Sequence, residues 1–441
     1  MRGWVVWLVV LVSANAAVAA PAAPDRLQRG DMAADLEQLV VAAKQGWAYF
    51  DHRRALGLDL DALLATTIDG LPPAAERADF ALVVRRFVAA LEDGHAWVAT
   101  PGLTEQRDRV WPFQLVDTRE GVVVGRVSVG LARPRRGDAL VAVDGVATGD
   151  LLAAAGQRTP ASTPAMRRAL ALQSLRLTSA RSHTFTFRRP SGRPFTSDLA
   201  TTPLARTAPS PAPLEWLSWK HLPGGIGYLR IASLAARDRT QWMKALPADR
   251  DQLLAGQYAS LDDAFASISA SRALILDLRG DTGGTDLLGM RVAQHLLPGG
   301  TTFYQLEPPA AGAVPATPHV AVTIPTTATI TPFPGRVIVL IDSLSFSATD
   351  NLVACLRATR PETTFIGRPT GGGTGAPRHA TTLAHSGFEV GFSTIRVYDP
   401  AGQLIEGRGT TPDLLVTTTR ADVLRQRDSD LRAALRMLRS R

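Results

Sequence analysis

RVIVLIDSLSFSATDNLVACLRATRPETTFIGRPTGGGTGAP, residues 336–377, is the stretch on which the reading of this chain turns. The β-branched run Arg336–Asp342 is of the kind that forms a strand buried on both faces, and Ala348–Ala358 places Leu352, Cys355 and Leu356 at helical spacing. A further strand and a glycine loop follow. Ser347 falls at the strand-to-helix junction. Its hydroxyl can cap the helix, with Ser347 and Asp350 forming a capping box in which Asp replaces Glu. Equally, such a turn lifts a hydroxyl above the sheet edge, where the following amide and the helix dipole stabilise an oxyanion. From this stretch alone both roles stand open.

Working outward, Asp277-Leu278-Arg279-Gly280-Asp281-Thr282-Gly283-Gly284 also sits between a buried-type strand, Ala273–Leu278, and a helix, Thr285–Leu297. Its two glycines leave two backbone amides unobstructed for an anion or a carbonyl oxygen, although a tight turn without a ligand is the plainer account. Ile226–Ile231 supplies another strand. Strands alternating with helices imply right-handed crossovers, a mostly parallel sheet and ligands at the carboxyl ends of its strands.

Upstream the pattern changes twice. Leu36, Leu39, Val40, Ala43 and Trp47 repeat at helical spacing behind Asp31 as a candidate cap, a second helix is expected over Leu58–Ile68, and a third, Ala75–Glu92, ends at Asp93-Gly94-His95. Gly94 is a natural helix terminator, so His95 reads as the first residue of a loop. Short alternating strands then follow at Val122–Val127, Leu140–Val143 and Thr184–Phe187, with a helix at Asp150–Ala155. Gly137-Asp138 ahead of a strand that ends in Asp144-Gly145 resembles the second half of a PDZ domain; an ordinary hairpin is the alternative. Thr201–Pro213 is a Thr/Pro/Ser/Ala linker.

The chain has 441 residues, 45% hydrophobic and 20% charged, which suits a globular protein of two or three domains. Met1-Arg2, the apolar Trp4–Val12 and the small-residue stretch Ala14–Ala20 read as a secretory signal cleaved after Ala19. That run is too short to span a membrane, and no cysteine follows it to take a lipid, so the expectation is an exported protein, periplasmic or secreted, with no stable membrane anchor. The lone Cys355 excludes an intrachain disulfide. Net charge is +8, but it comes from scattered arginines, and no nucleic-acid partner is expected. None of the eight histidines pairs at a zinc-ligand spacing and no phosphate loop is present, so no metal and no cofactor is expected.

Five motifs in order carry a resemblance: Gly224–Tyr228, Asp277–Gly284, Ser345–Asp350, Gly367–Gly372 and Glu406–Asp413. The chain resembles the tail-specific (C-terminal processing) serine peptidase superfamily, whose branches include the tricorn core and the interphotoreceptor retinoid-binding protein. The resemblance implies an α/β multidomain protein. Its parts would be a signal peptide at 1–19, an N-terminal helical region at 20–104, a PDZ-like β-rich insert at 105–200, a linker at 201–213 and a crotonase-like catalytic core at 214–441. It makes Ser347 the nucleophile and gives Ala348, with Gly283 or Gly284, the oxyanion amides. The processing-peptidase branch takes its base from a lysine, but Gly373 stands at that place and no lysine follows Lys244. The lysine-less, tricorn-core-like branch takes a histidine at the end of the helical region, here His95, and a glutamate in the C-terminal motif, here Glu406. In the tricorn core a serine precedes the histidine, whereas this chain has Gly94.

The chemistry asks for these residue types on its own account. A serine hydroxyl needs a base near neutral pKa, which imidazole supplies, and that base contributes about 10²–10⁴ in rate. An acid fixes the imidazole tautomer, and amides stabilise the alkoxide. His379 and His385 are the alternative bases. The expected activity is a serine endopeptidase acting on unfolded or tail-exposed polypeptides. A binding module of the same fold for an apolar ligand or peptide, or an acyl hydrolase, are the alternatives.

Overall fold

The computed structural model describes residues 25–103, 107–204, 215–307 and 319–439; the signal segment and residues 205–213 of the linker lie outside the described residues. Six strands form the central sheet, in the order Leu217–Leu222, Ile226–Ile231, Ala273–Asp277, Arg336–Ile341, Thr364–Gly367, Leu414–Leu415. The first pair is antiparallel and every later pair is parallel. Side chains alternate between two buried layers. Leu274, Leu276, Val337, Val339 and Ile341 share a core with helices Arg250–Ile268, Asp286–Gln294 and Ala348–Thr359. Ile275, Ile338, Leu340 and Ile366 meet Ala433, Ala434 and Leu438 of the helix Ser429–Arg439. Covering on both faces is why these strands are apolar throughout rather than alternating.

Residues 109–203 build a separate β-rich layer. Its main sheet runs Pro194–Ala200, Ser182–Arg188, Ala139–Val143, Gly121–Val127, Phe113–Thr118, with helices Thr148–Gly156 and Pro164–Ser174 alongside. Phe113, Val124, Leu140, Phe185 and Phe187 form its core. Asp144 and Gly145 both have positive φ, 51° and 81°, and join Val143 to Val146 in a tight hairpin.

The N-terminal helices Arg29–Gly46, Phe50–Ala55, Leu60–Asp69 and Arg77–Ala90 do not close a core by themselves. Leu383, Phe388, Val390 and Phe392 are buried among Leu36, Leu39, Phe80, Val84 and Phe87. These four belong to the hairpin Pro377–Thr382/Glu389–Ser393 and its connection, which follow the glycine loop. Strand Trp97–Ala99 then adds antiparallel to Glu389–Ser393. Sheet pairing thus carries residues 93–96 to the carboxyl edge of the core sheet. Two local readings differ from the sequence expectation. A short helix, Phe50–Ala55, precedes the expected second helix, which runs Leu60–Asp69 and is capped by the Asp59 side chain accepting from the Asp61 and Ala62 amides. Asp31 is not the cap of the first helix but its N3 residue, accepting from the Gln28 amide.

Candidate active site

The Ser347 turn is built from both neighbouring loops. Ser345 Oγ donates to the Leu278 carbonyl at 2.9 Å and accepts from the Asp342 amide at 3.1 Å, which draws the two strand ends together. Ser347 has φ 61° and ψ −125°, a conformation costly for any residue with a Cβ, and its side chain makes no capping bond. The capping-box reading therefore gives way. Asp350 is buried and accepts through Oδ2 from the Gly372 and Gly373 amides, at 2.8 and 3.1 Å, instead of from Ser347. The Gly373 carbonyl in turn receives the Ser347 N–H at 2.9 Å. A carboxyl, the glycine loop and the serine backbone together hold the turn. Burial raises the Asp350 pKa to about 7, the loop amides acting against it. On the other side Gly283 (φ 89°) presses against the serine, where an added Cβ would lie 2.7 Å from Ser347 Cβ. A glycine is required there.

Freed from capping, the hydroxyl meets the imidazole. His95 Nε2 lies 2.9 Å from Ser347 Oγ across 252 positions of sequence. The His95 ring stacks on Phe346, with centroids 4.5 Å apart. Its backbone is fixed by Asp93, whose Oδ1 accepts the His95 N–H at 2.8 Å. Burial lowers the His95 pKa below 6.5, with the Asp93 charge opposing, so the ring is neutral at neutral pH and free to accept a proton. His379 and His385 lie elsewhere: His379 Nε2 bonds Thr382 Oγ1 at 2.9 Å, and His385 pairs with Asp31 at 3.3 Å.

Glu406 is buried beside this pair. A ring nitrogen of His95 and carboxylate oxygens of Asp93 and Glu406 all lie within 4.8 Å of one another. Glu406 Oε2 accepts the Thr374 amide at 3.2 Å, and Arg53 Nη2 stands 3.8 Å from Oε1. His95 Nδ1 and Glu406 Oε1 are both buried and lack a hydrogen-bond partner. Burial, then the nearby Asp93, raise the Glu406 pKa well above 4.5, while Ser162, Arg53 and the Thr374 amide favour its ionised form. The same three residues could in principle hold a cation, but the Asp93 oxygens already accept from Trp47 Nε1, the Ser393 amide and hydroxyl, and the His95 amide. With Nε2 on the serine as well, the donor set is poorly suited to a metal.

Among the amides, Gly283 N–H donates to Asp281 Oδ1 at 2.9 Å. Among the described hydrogen bonds neither the Gly284 nor the Ala348 amide has an acceptor. Asp281 itself is buried, with its pKa raised to about 7 by desolvation.

A family model described as peptidase family S41 matches residues 225–416, the segment that contains the sheet edge, the Ser347 turn and Glu406. That match covers somewhat less than half of the chain and is a similarity of this segment to the family. Solved structures extend the likeness to the rest of the chain. A structure of mature CPAF complexed with lactacystin is 15% identical, with TM-score 0.73, covering 93% of this chain and 98% of that one. Another of mature CPAF is 15% identical, with TM-score 0.70, covering 90% and 94%. A candidate peptidase from Parabacteroides merdae ATCC 43184 is 19% identical, with TM-score 0.52, covering 94% and 97%. No curated protein matches the sequence. At such identities the structures show a shared fold alone.

Sequence reasoning passed over several residues of the site. Asp93 reads in the sequence only as part of a helix-ending turn, yet it fixes the His95 backbone and accepts from Trp47 and Ser393. Its side chain two residues before a loop histidine was a usable signal, since Asp side chains bond amides two residues on. Ser162 and Arg53 carried no local signal at all.

Proposed function

We propose that the chain is an exported serine endopeptidase that cleaves unfolded or tail-exposed polypeptides through an acyl-enzyme. Ser347 is the nucleophile, His95 the general base and Glu406 the acid that orients the imidazolium. Ala348 and the Gly283-Gly284 pair supply the oxyanion amides, with Gly284 the one not already engaged. The observation that carries this reading is the 2.9 Å contact between His95 Nε2 and a serine hydroxyl withheld from capping. A neutral imidazole takes the Ser347 proton as Oγ attacks the scissile carbonyl, then returns it to the leaving amine, and water repeats the cycle on the ester. Among the described residues no helix is long and apolar enough to cross a membrane, and export rests on the Met1–Ala20 signal.

The test is reactivity of the purified protein. A fluorophosphonate should label Ser347, and casein should be cleaved. Ser347→Ala should abolish both, His95→Ala should reduce both by about 10²–10⁴, and Ser345→Ala should still label. A folded wild-type protein that neither labels nor cleaves any polypeptide would overturn the proposal in favour of a binding module. Intact mass after export should show loss of residues 1–19.

A further inference from the structure

The β-rich insert reaches into the site through one segment, residues 157–163, between its helices Thr148–Gly156 and Pro164–Ser174. Ser162 is 3% exposed. Its Oγ accepts the Gly94 N–H at 2.9 Å, so the residue before His95 is held by a side chain from the insert. Having accepted one bond, the hydroxyl has a proton left to donate, and its presence favours the ionised form of the nearby Glu406 carboxyl. The fit leaves little room. A Cβ on Gly94 would lie 2.5 Å from Ser162 Oγ, and one on Gly373 would lie 2.3 Å from it. Two glycines, one on the histidine loop and one on the serine-holding loop, thus make the socket that this hydroxyl fills.

The segment is seated by further contacts around that socket. Thr163 Oγ1 donates to the Gly371 carbonyl at 3.1 Å, and Arg53 Nη2 reaches the Ser162 carbonyl at 3.4 Å. Arg167 bonds Glu92 Oε1 and the Ala89 carbonyl, both at 3.3 Å, at the end of the helix that leads to His95. Ala161 and Met166 pack on Phe346, the ring that stacks against His95.

Resting on the triad reading above, we propose that Ser162 is a positioning residue for the base. Its hydroxyl holds the Gly94 N–H, so the loop that carries the histidine is aligned on Ser347 only while the insert is seated on the core. The insert then supplies the side chain that holds the loop carrying the base. Loss of the hydroxyl removes a donor that favours ionised Glu406. The other groups facing that carboxyl remain: Arg53 and the Thr374 amide favour ionisation, and Asp93 with burial opposes it. Tyr49 packs close enough to feel its charge. Without Ser162 the carboxyl holds its proton to higher pH, and the acidic limb of turnover moves upward.

Ser162→Ala, Ser162→Thr and Arg167→Ala in the full mature chain test this, with casein turnover and the rate of fluorophosphonate labelling at Ser347 followed from acid to neutral pH. For Ser162→Ala the expected result is a fall in kcat on the order of ten- to a hundredfold, as for partners behind a metal-bound imidazole. KM should stay nearly unchanged and the acidic limb should move up. Ser162→Thr keeps the hydroxyl and should restore the wild-type pH profile. Arg167→Ala, which only loosens the seat, should lower kcat less and in the same direction. A Ser162→Ala protein with wild-type kcat, or with reduced kcat but an unmoved pH profile, overturns the proposal while leaving the triad intact. If the wild-type protein fails to label, the triad reading falls first and this inference falls with it.

Discussion

Two helices of the core begin at the same edge of the same sheet, each behind a hydroxyl residue, and they use that hydroxyl in opposite ways. Thr285 sits at φ −110° before Asp286–Gln294, and its side chain accepts from the Leu287 amide. Ser347 sits at φ 61° before Ala348–Thr359, makes no cap, and meets His95 instead. Capping satisfies an otherwise orphaned amide and stabilises the fold by about 1 kcal/mol. A hydroxyl turned away leaves amides such as Ala348's open at the positive end of a helix, which is what an oxyanion needs. The first terminus contributes to stability, and the second forgoes that contribution and leaves its hydroxyl to the imidazole. Strain at Ser347 is borne by the surrounding glycine loop and by Asp350.

The comparison breaks most sharply at Ser347→Ala. Turnover should fall to background, yet thermal unfolding should be unchanged or slightly improved, since no cap is lost. A drop in stability of the size expected for a cap, about 1 kcal/mol, would show that the hydroxyl was capping after all. Next in size is Glu406→Gln, which should lower turnover roughly ten- to a hundredfold by removing the charge behind the imidazolium. Its stability effect has the other sign. The Glu406 pKa is raised in the folded protein, so ionisation costs stability as pH rises above the ordinary carboxyl range, and Gln removes that loss. Urea titrations of wild type and variant at neutral and acid pH should therefore diverge towards neutrality, with Glu406→Gln the more stable.

Asp350 sharpens the contrast within the serine's own helix. Its pKa of about 7 in the folded state, against the ordinary 3.8, means that the native protein binds the extra proton in between. Stability then declines between those values by up to about 1.4 kcal/mol per pH unit, and the decline stops above pH 7. Asp350→Asn should flatten that slope. An unchanged slope in the pH dependence of unfolding would exclude Asp350 as its source. The smallest effect belongs to the conventional terminus: Thr285→Ala should cost about 1 kcal/mol of stability, measured by denaturant midpoint.

What was legible in the sequence follows from how local each signal is. The strand, turn and helix around Ser347 and the Gly283-Gly284 loop could be read because buried parallel strands are uniformly apolar and glycine marks close backbone approach. Ser347 and Asp350 read locally as a box, but Asp350 is claimed by Gly372 and Gly373, an interaction no four-residue pattern contains. His95 entered only through family resemblance, because what brings it to Ser347 is the pairing of Trp97–Ala99 with Glu389–Ser393. Ser162 and Arg53 were invisible for the same reason. Their partners lie on other layers, and single-sequence periodicity carries no information about which layers meet.

That shared sheet has a consequence for how the molecule comes into being. The strand beside His95 docks on a hairpin that lies beyond Ser347 in the chain, and the hairpin also fills the core of the N-terminal helices. Contacts so distant in sequence form late, after local elements have closed. A nascent or partly unfolded copy therefore carries Ser347 without the His95 contact. In such a chain the contact between His95 Nε2 and Ser347 Oγ waits on the docking of Trp97–Ala99 against Glu389–Ser393.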